Sequence, residues 1–305
     1  MTEIERIISK GILTKDFLKE ETRCDFFVDE KRKKIWAVEL DLLIEFDKVC
    51  RKNNLKYFVM GGSLIGIIRH KGYIPWDDDI DVAMLRADYE KLMEIGKDAF
   101  NNPYFLQNPD TDEGYYFSYA KLRNSNTSAV SYPFRYEKFN QGIAIDIFPL
   151  DNCVMKDLEK RFNKINDLIM ENSANMRRSN PSPTLEEKAR IEKYAYRNPR
   201  EVYNEMLAIA TKYNNIDTDI VNTAVLTAYP YAKLVYKKSW FDDIIYKECE
   251  GIPVAIPKMY DEVLKVQYGD YMQLPPVESR GQWHNTAIFD PDIPYKELIK
   301  TINQV

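Results

Sequence analysis

Four aspartates lie among five consecutive positions, 77 to 81, beside an apolar run. The stretch reads IPWDDDIDVAML, and its apolar residues predict a buried strand over residues 79–85. Because side chains two residues apart in a strand share a face, we expect Asp79 and Asp81 on one face, about 7 Å apart. Two carboxylates at that distance repel by about 2 kcal/mol at an effective dielectric constant of about 20. A divalent cation, Mg²⁺ or Mn²⁺, would offset this repulsion, since both ions prefer hard oxygen ligands.

An exposed loop is the alternative interpretation of these aspartates. Aspartate is common in turns, and Pro75 favours one. A loop explains Asp77 and Asp78 well, and we expect these two residues to form a polar segment that leads into the strand. It explains Asp79 and Asp81 poorly, because the apolar pattern continues through them. The pattern therefore favours a metal site at this pair.

Asp146 interrupts a second apolar run, GIAIDIFPL, whose alternation predicts a strand over residues 142–150. A buried carboxylate without a partner is costly, so Asp146 needs one. A salt bridge to a nearby arginine is one interpretation. The other is a neighbouring strand that supplies a third carboxylate to the metal site of Asp79 and Asp81, and the upstream pair favours it.

Gly61, Gly62 and Ser63 lie between a predicted short strand, residues 55–60, and a predicted short helix. Glycines let a ligand approach the backbone closely, and a helix N-terminus favours an anion. A glycine pair is more often a plain tight turn, but this one shortly precedes the aspartates. Phosphate on backbone amides, with metal between phosphate and carboxylates, is the usual arrangement for phosphoryl transfer.

Basic residues near such a site are expected to contact phosphate oxygens. Each one alone is more often a surface charge, and a histidine in an irregular C-terminal tail is more often structural. The candidates are Arg69, Lys71, Lys121, Arg123 and His284.

Composition limits the class of protein. The 305 residues are 45% hydrophobic, enough for a large core, and the net charge of -5 argues against a nucleic-acid partner. Four widely spaced cysteines and two histidines argue against structural zinc and are typical of reduced cytoplasmic proteins. The charged N-terminus predicts no signal peptide, and no apolar stretch predicts a membrane span. We expect a cytoplasmic protein and leave peripheral contact with the inner face of the membrane open.

Periodicity predicts a mixed α/β chain up to about residue 150, then charged helices interrupted at 180–184 and 197–199. A hairpin around Glu250 and Gly251 and a helix ending at Gly269 should follow. Further strands are predicted at 104–108 and 115–123, after a long helix at 30–53. The expected parts are an N-terminal helical segment (1–54), a catalytic core (55–151), a helical insertion (152–240) that could bind the acceptor, and a C-terminal hairpin, helix and tail (241–305).

The stretch GGSLIGIIRHKGYIPWDDDIDVAML resembles the signature of the LicD family of phosphotransferases, which includes bacterial phosphocholine transferases and, more distantly, fukutin-related proteins. The resemblance continues through KLRNSNT and IDIFPLD and resumes at PKMYDEVLKVQYGDYMQLPP, so that it covers nearly half of the chain. Residues 152–240 match no motif. The zinc-binding cysteine cluster of the distant relatives has no counterpart here.

The resemblance implies a nucleotidyltransferase-like α/β (α+β) fold, with a mixed sheet, flanking helices and a helical insertion. It implies metal and catalytic roles for Asp79, Asp81 and Asp146, and donor binding at the glycines and Ser63. Family members transfer a phospho-alcohol from a CDP-activated donor, such as CDP-choline, to a glycan or glycolipid hydroxyl and release CMP.

Two other functions stay open at this point. A nucleotidyltransferase moving NMP from an NTP to a small hydroxyl acceptor would use the same carboxylates and release pyrophosphate. A non-catalytic glycan-binding protein could share the fold, although three mutually repelling aspartates argue against it. The tyrosine-rich segments 115–119 and 131–136 fit either an aromatic cage for a quaternary ammonium or core packing.

Overall fold

The computed structural model describes residues 1–223, 230–281 and 288–303. Helices and strands alternate between residues 30 and 107, after which runs of strands and of helices follow one another. The α-helices are α1 (Glu3–Ser9), α2 (Glu30–Lys52), α3 (Gly61–His70), α4 (Arg86–Ala99), α5 (Leu158–Asn175), α6 (Leu185–Tyr194), α7 (Pro199–Ala210), α8 (Tyr260–Tyr268) and α9 (Tyr295–Ile302). The strands are β1 (Glu21–Arg23), β2 (Phe26–Val28), β3 (Phe58–Val59), β4 (Asp81–Leu85), β5 (Tyr104–Gln107), β6 (Ala120–Asn124), β7 (Ser128–Val130), β8 (Ile143–Cys153), β9 (Ile220–Asn222), β10 (Val235–Lys237), β11 (Ile244–Cys249), β12 (Ile252–Pro257) and β13 (Ile288–Asp290).

The central sheet is mixed and is organised around β8. This strand pairs in parallel with β4, and it pairs antiparallel with β6 and, through its last residues, with β9. β3, β5 and β10 extend the sheet beyond β4, β6 and β9 respectively. The predicted α+β class with a mixed sheet and flanking helices is thereby confirmed.

Helix α2 covers the sheet with the apolar face that the sequence predicts. Ile35, Leu42 and Phe46 on this helix are fully buried. Asp29 caps the N-terminus of the helix, because its carboxylate accepts a hydrogen bond from the backbone N–H of Arg32 at 2.8 Å. Four charged side chains of this helix are also buried; the least exposed, at 1%, is Glu39, and the others are Arg32, Lys33 and Asp41.

The strand that carries the aspartates begins later than predicted, at Asp81 instead of Asp79. The expectation that the two share a strand face was therefore wrong. The backbone N–H of Asp77 bonds the carbonyl of Ile74 at 2.8 Å and closes a turn. Sheet pairing starts only at Ile80, whose carbonyl accepts from the N–H of Asp146 at 2.9 Å.

Two other details differ from the expectations. The predicted strand 115–123 is restricted to β6, because Tyr115 N–H bonds the carbonyl of Asp112 in a turn. Asp78, expected in an exposed approach, is only 2% exposed. The segment is held against α2, since the carbonyl of Asp77 accepts hydrogen bonds from Arg32 at 2.8 Å and Trp36 at 3.0 Å.

The insertion has a small core of its own, which α5 and α7 form through Ile165, Leu168, Val202 and Met206. Its breaks fall where proline and asparagine predict them, and no residue of α6 is buried. The β11–β12 hairpin turns at Gly251, and α8 ends at Gly269, as expected. Within the described ranges, no helix combines the length and the apolar character that crossing a bilayer requires.

Candidate active site

Asp81 and Asp146 are direct register partners in the parallel pair of β4 and β8. Neighbouring strands lie about 4.8 Å apart, and register partners point to the same face of the sheet. Both side chains are partly exposed. The third aspartate of the predicted triad, Asp79, precedes β4. The turn before it brings its side chain to the same end of the sheet as Asp81 and Asp146.

The Gly-Gly-Ser turn and the aspartates form one packed unit. Gly61 has a φ of +63°, and a β-carbon there would lie 3.0 Å from Oδ2 of Asp81. A β-carbon on Gly62 would lie 3.0 Å from Oδ2 of Asp77. The hydroxyl of Ser63 accepts a hydrogen bond from the N–H of Asp81 at 2.9 Å. The glycines therefore make room for carboxylates, a role that the sequence did not reveal.

Six acidic side chains, five aspartates and one glutamate, converge at this end of the sheet. Carboxylate oxygens of Asp77, Asp78 and Asp79 lie within 4.8 Å of one another. Burial raises the pKa of Asp79 well above its ordinary value, and neighbouring charges raise this pKa further. These charges belong to Asp81, Asp77, Glu39 and Asp146. Such mutual destabilisation of anions is what a bound cation would relieve.

Glu39 belongs to this group although sequence reasoning missed it. Burial raises the pKa of Glu39 well above its ordinary value, and the charge of Asp78 adds to the effect, while a hydrogen bond from Tyr73 opposes it. Its Oε2 atom is buried and has no hydrogen-bond partner within the described part of the chain. The signal was present in the sequence: Glu39 lies four residues after Ile35 and three before Leu42, on the apolar face of α2.

Lys121 supplies positive charge opposite the aspartates. It is the register partner of Asp146 on β6, and its ammonium forms an ion pair with Oδ1 of that aspartate. The same ammonium lies 5.2 Å from the centroid of the Tyr119 ring. Arg123 lies further along β6, buried, and donates hydrogen bonds to Gln107 and to the carbonyl of Gly142. Burial lowers the pKa of Arg123.

Arg69 and Lys71 do not line the cavity that opens over the carboxylates. Arg69 donates hydrogen bonds to the carbonyls of Tyr271 at 2.8 Å and Gln273 at 3.0 Å, so it fixes the C-terminal segment. Lys71 closes α3 with a φ of +55°. His284 lies outside the described residues.

A cavity of about 630 Å³ opens over the carboxylates, a size typical of small-molecule sites. Lys121 and Arg123 line it together with Glu39, Asp78, Asp79 and Asp146. The rest of the wall is largely aromatic, with Phe117, Tyr119, Phe134, Phe139 and Phe289. Both tyrosine-rich segments contribute to this wall. A wider groove of about 820 Å³ near the N-terminus is lined by alkyl groups and exposed charges.

Comparison with known proteins finds a family match for the part of the chain that carries this site. Residues 54–177 match the family described as LicD/FKTN/FKRP, nucleotidyltransferase domain. Residues 54–177, less than half of the chain, are therefore similar to a LicD-family nucleotidyltransferase domain. The matched range holds the Gly-Gly-Ser turn, all five aspartates of the site, and Lys121, and it ends at Arg177.

Two relatives show how far the LicD similarity extends. The lipopolysaccharide cholinephosphotransferase LicD of Haemophilus influenzae is 29% identical over 250 residues, which cover 80% of this chain and 92% of that protein. An uncharacterized protein of Rickettsia prowazekii is 39% identical over 54 residues, or 18% of this chain and 20% of that protein. The similarity to the first therefore extends well beyond residues 54–177, and it supports a transferase enzyme.

Gly61→Ala should inactivate the LicD domain. Alanine at this φ costs about 1–2 kcal/mol, and its methyl group would displace the Asp81 carboxylate. Urea unfolding measures the loss of stability, and the rate of turnover measures the effect of the displaced carboxylate. Gly11→Ala is the matched control, because Gly11 has a φ of +74° and no atom within 4 Å of the added carbon. Equal activity of the two variants would refute the role of Gly61 in placing Asp81.

Proposed function

We propose that the protein transfers phosphocholine from CDP-choline to a hydroxyl of a glycan or glycolipid and releases CMP, with Mg²⁺ or Mn²⁺ as cofactor. The proposal rests on one observation: a group of carboxylates packs against the Gly-Gly-Ser turn and lines a cavity whose other walls are largely aromatic. Sequence similarity supports the proposal as well, because the Haemophilus influenzae cholinephosphotransferase aligns with most of the chain.

Asp79, Asp81 and Asp146 would hold the metal. The donor set fits, because it consists of carboxylate oxygens, and the unpartnered Oε2 of Glu39 faces the same group of acids. When bound, the ion would neutralise the donor diphosphate and stabilise charge on the departing CMP.

Residues of the chain would bind the donor and move the proton. The first N–H groups of α3, those of Gly62 and Ser63, have no acceptor within the helix and can donate to phosphate oxygens. Asp146 would accept the proton of the glycan hydroxyl as that oxygen bonds to phosphorus. The bond from phosphorus to the CMP oxygen breaks in the same transfer. Lys121, paired with Asp146, would stabilise the negative charge of the leaving CMP.

The aromatic wall would bind the choline head group. A quaternary ammonium is attracted to the faces of aromatic rings within about 6 Å. Tyr119 lies 5.2 Å from the Lys121 ammonium that pairs with Asp146, and the centroids of the Tyr119 and Phe117 rings are 5.9 Å apart. They would hold the trimethylammonium group while its phosphate stays at the carboxylates.

A nucleotidyltransferase reaction is the second candidate, because the matched family is described as a nucleotidyltransferase domain. It would use the same carboxylates and transfer NMP to a small hydroxyl acceptor.

Products distinguish the two reactions. CDP-choline, CDP-ethanolamine, CDP-glycerol and CDP-ribitol are incubated separately with the full chain, Mg²⁺ and a glycan mixture, and CMP is measured by chromatography. We expect Mg²⁺-dependent CMP release, fastest from CDP-choline. Pyrophosphate release from an NTP, with no CMP from any of the four donors, would refute phosphocholine transfer.

A further inference from the structure

Two arginines of the helical insertion line the same cavity. Arg177 follows α5, and Arg190 lies within α6. The guanidinium carbon of Arg177 lies 5.0 Å from the centroid of the Phe134 ring. The insertion thus adds positive charge to the cavity, at the part of the wall that Phe134 forms.

The charge of Arg177 has no counter-ion within the described part of the chain. Its Nε atom is buried without a hydrogen-bond partner there. Burial lowers the pKa of Arg177, and the charge of Arg190 lowers this pKa further, while Glu187 raises it. The Glu187 carboxylate is itself bound to the N–H of Thr184, at 2.9 Å. Arg190 pairs only loosely with the exposed Glu186, at 3.7 Å.

Aromatic rings separate these arginines from the carboxylates. Burial and the charge of the neighbouring Asp146 raise the pKa of Tyr119, and the ring of Phe117 lies beside the Tyr119 ring. Phe117 in turn meets Phe134 edge to face, with centroids 5.5 Å apart. An anion bound at the arginines would therefore be distinct from the phosphate at the Gly-Gly-Ser turn.

We propose, on the basis of the transfer function above, that Arg177 and Arg190 bind a phosphate or carboxylate group of the glycan acceptor. Guanidinium forks suit such anions, because they donate paired hydrogen bonds in one plane. Phe134 would contact the sugar between this anion and the hydroxyl that is modified. The acceptor is therefore an acidic glycan, and the insertion helps to select it.

A binding experiment tests the arginine pair without relying on turnover. Hexose 6-phosphate, the unphosphorylated hexose and inorganic phosphate are titrated calorimetrically into the full chain in EDTA, where the metal-free carboxylates repel anions. The variants are Arg177→Gln and Arg190→Gln. Arg190→Gln should keep the fold, because no residue of α6 is buried, so weaker binding in this variant is not explained by misfolding. Arg178→Gln is the control, because Arg178 is the exposed neighbour in sequence and does not line the cavity.

We expect hexose 6-phosphate to bind at least tenfold more tightly than the plain hexose, and also more tightly than inorganic phosphate. Either variant should weaken this binding about tenfold, while Arg178→Gln should not. Equal affinity of wild type and both variants would overturn the anion site. Tighter binding of inorganic phosphate would overturn its assignment to the acceptor. Arginine-dependent binding without CMP release from any CDP-alcohol would refute the transfer function and leave the anion site standing.

Discussion

Asp81→Asn should reduce CMP release from CDP-choline by about 10³-fold or more while the fold stays intact. Asparagine keeps the size of the side chain and the backbone pairing with Asp146 on β8. It removes the charge from the carboxylate that lies against Gly61, beside the other acids of the site. The metal would lose a ligand, and the donor diphosphate would lose its neutralisation.

The control for Asp81→Asn is Asp98→Asn, at an exposed position on α4. Initial rates with saturating CDP-choline and Mg²⁺ are compared, and circular dichroism confirms folding. Without metal, Asp81→Asn should be at least as stable as wild type, because one of several repelling charges is gone. Wild-type turnover in Asp81→Asn would contradict its place at the metal.

Arg86→Met should lower the free energy of unfolding by about 3–5 kcal/mol. Arg86 is the first residue of α4 and forms a bidentate ion pair with Asp151 of β8. Its Nε and Nη2 atoms lie 2.7 and 2.8 Å from the two carboxylate oxygens. The pair is almost fully buried, so methionine would leave a buried carboxylate without its counter-ion. Asp151 also accepts a hydrogen bond from Asn214 at 2.6 Å, so the loss would reach the insertion.

Urea unfolding of Arg86→Met is compared with that of Arg51→Met. Arg51 forms an exposed pair with Asp47 on α2, at 2.6 Å, and its loss should cost less than about 1 kcal/mol. The double variant Arg86→Met/Asp151→Leu should recover part of the stability, because no buried charge remains. A loss in Arg86→Met no larger than that in Arg51→Met would show that the buried pair does not hold the core to the insertion.

Local patterns in the sequence predicted much of the fold. The apolar spacing of α2, the alternation in β8 and the turn at Gly251 are signals that neighbouring residues carry, and the structure has each of these elements. The order of those elements predicted a mixed α/β chain, whereas the mixed sheet was predicted from the resemblance to the LicD family. The strand over 79–85 was misplaced because its start depends on Asp146, a partner far away in sequence.

The site was harder to predict, because contacts between distant segments define it. Nothing local shows that Asp81 lies against Gly61, or that Arg69 is used by carbonyls of the C-terminal segment. Glu39 gave a readable signal, as a carboxylate on an apolar helix face. Arg177 gave none, since one arginine among charged helices has no distinguishing pattern.

Calorimetric titration of Mg²⁺ into the chelator-treated protein tests most directly whether the carboxylates form a metal centre. We predict saturable binding to wild type, loss of this binding in Asp81→Asn, and retention in Asp98→Asn. CDP-choline should bind wild type more tightly when Mg²⁺ is present. No Mg²⁺ or Mn²⁺ binding to wild type, with or without CDP-choline, would contradict the metal centre and favour a non-catalytic glycan-binding role.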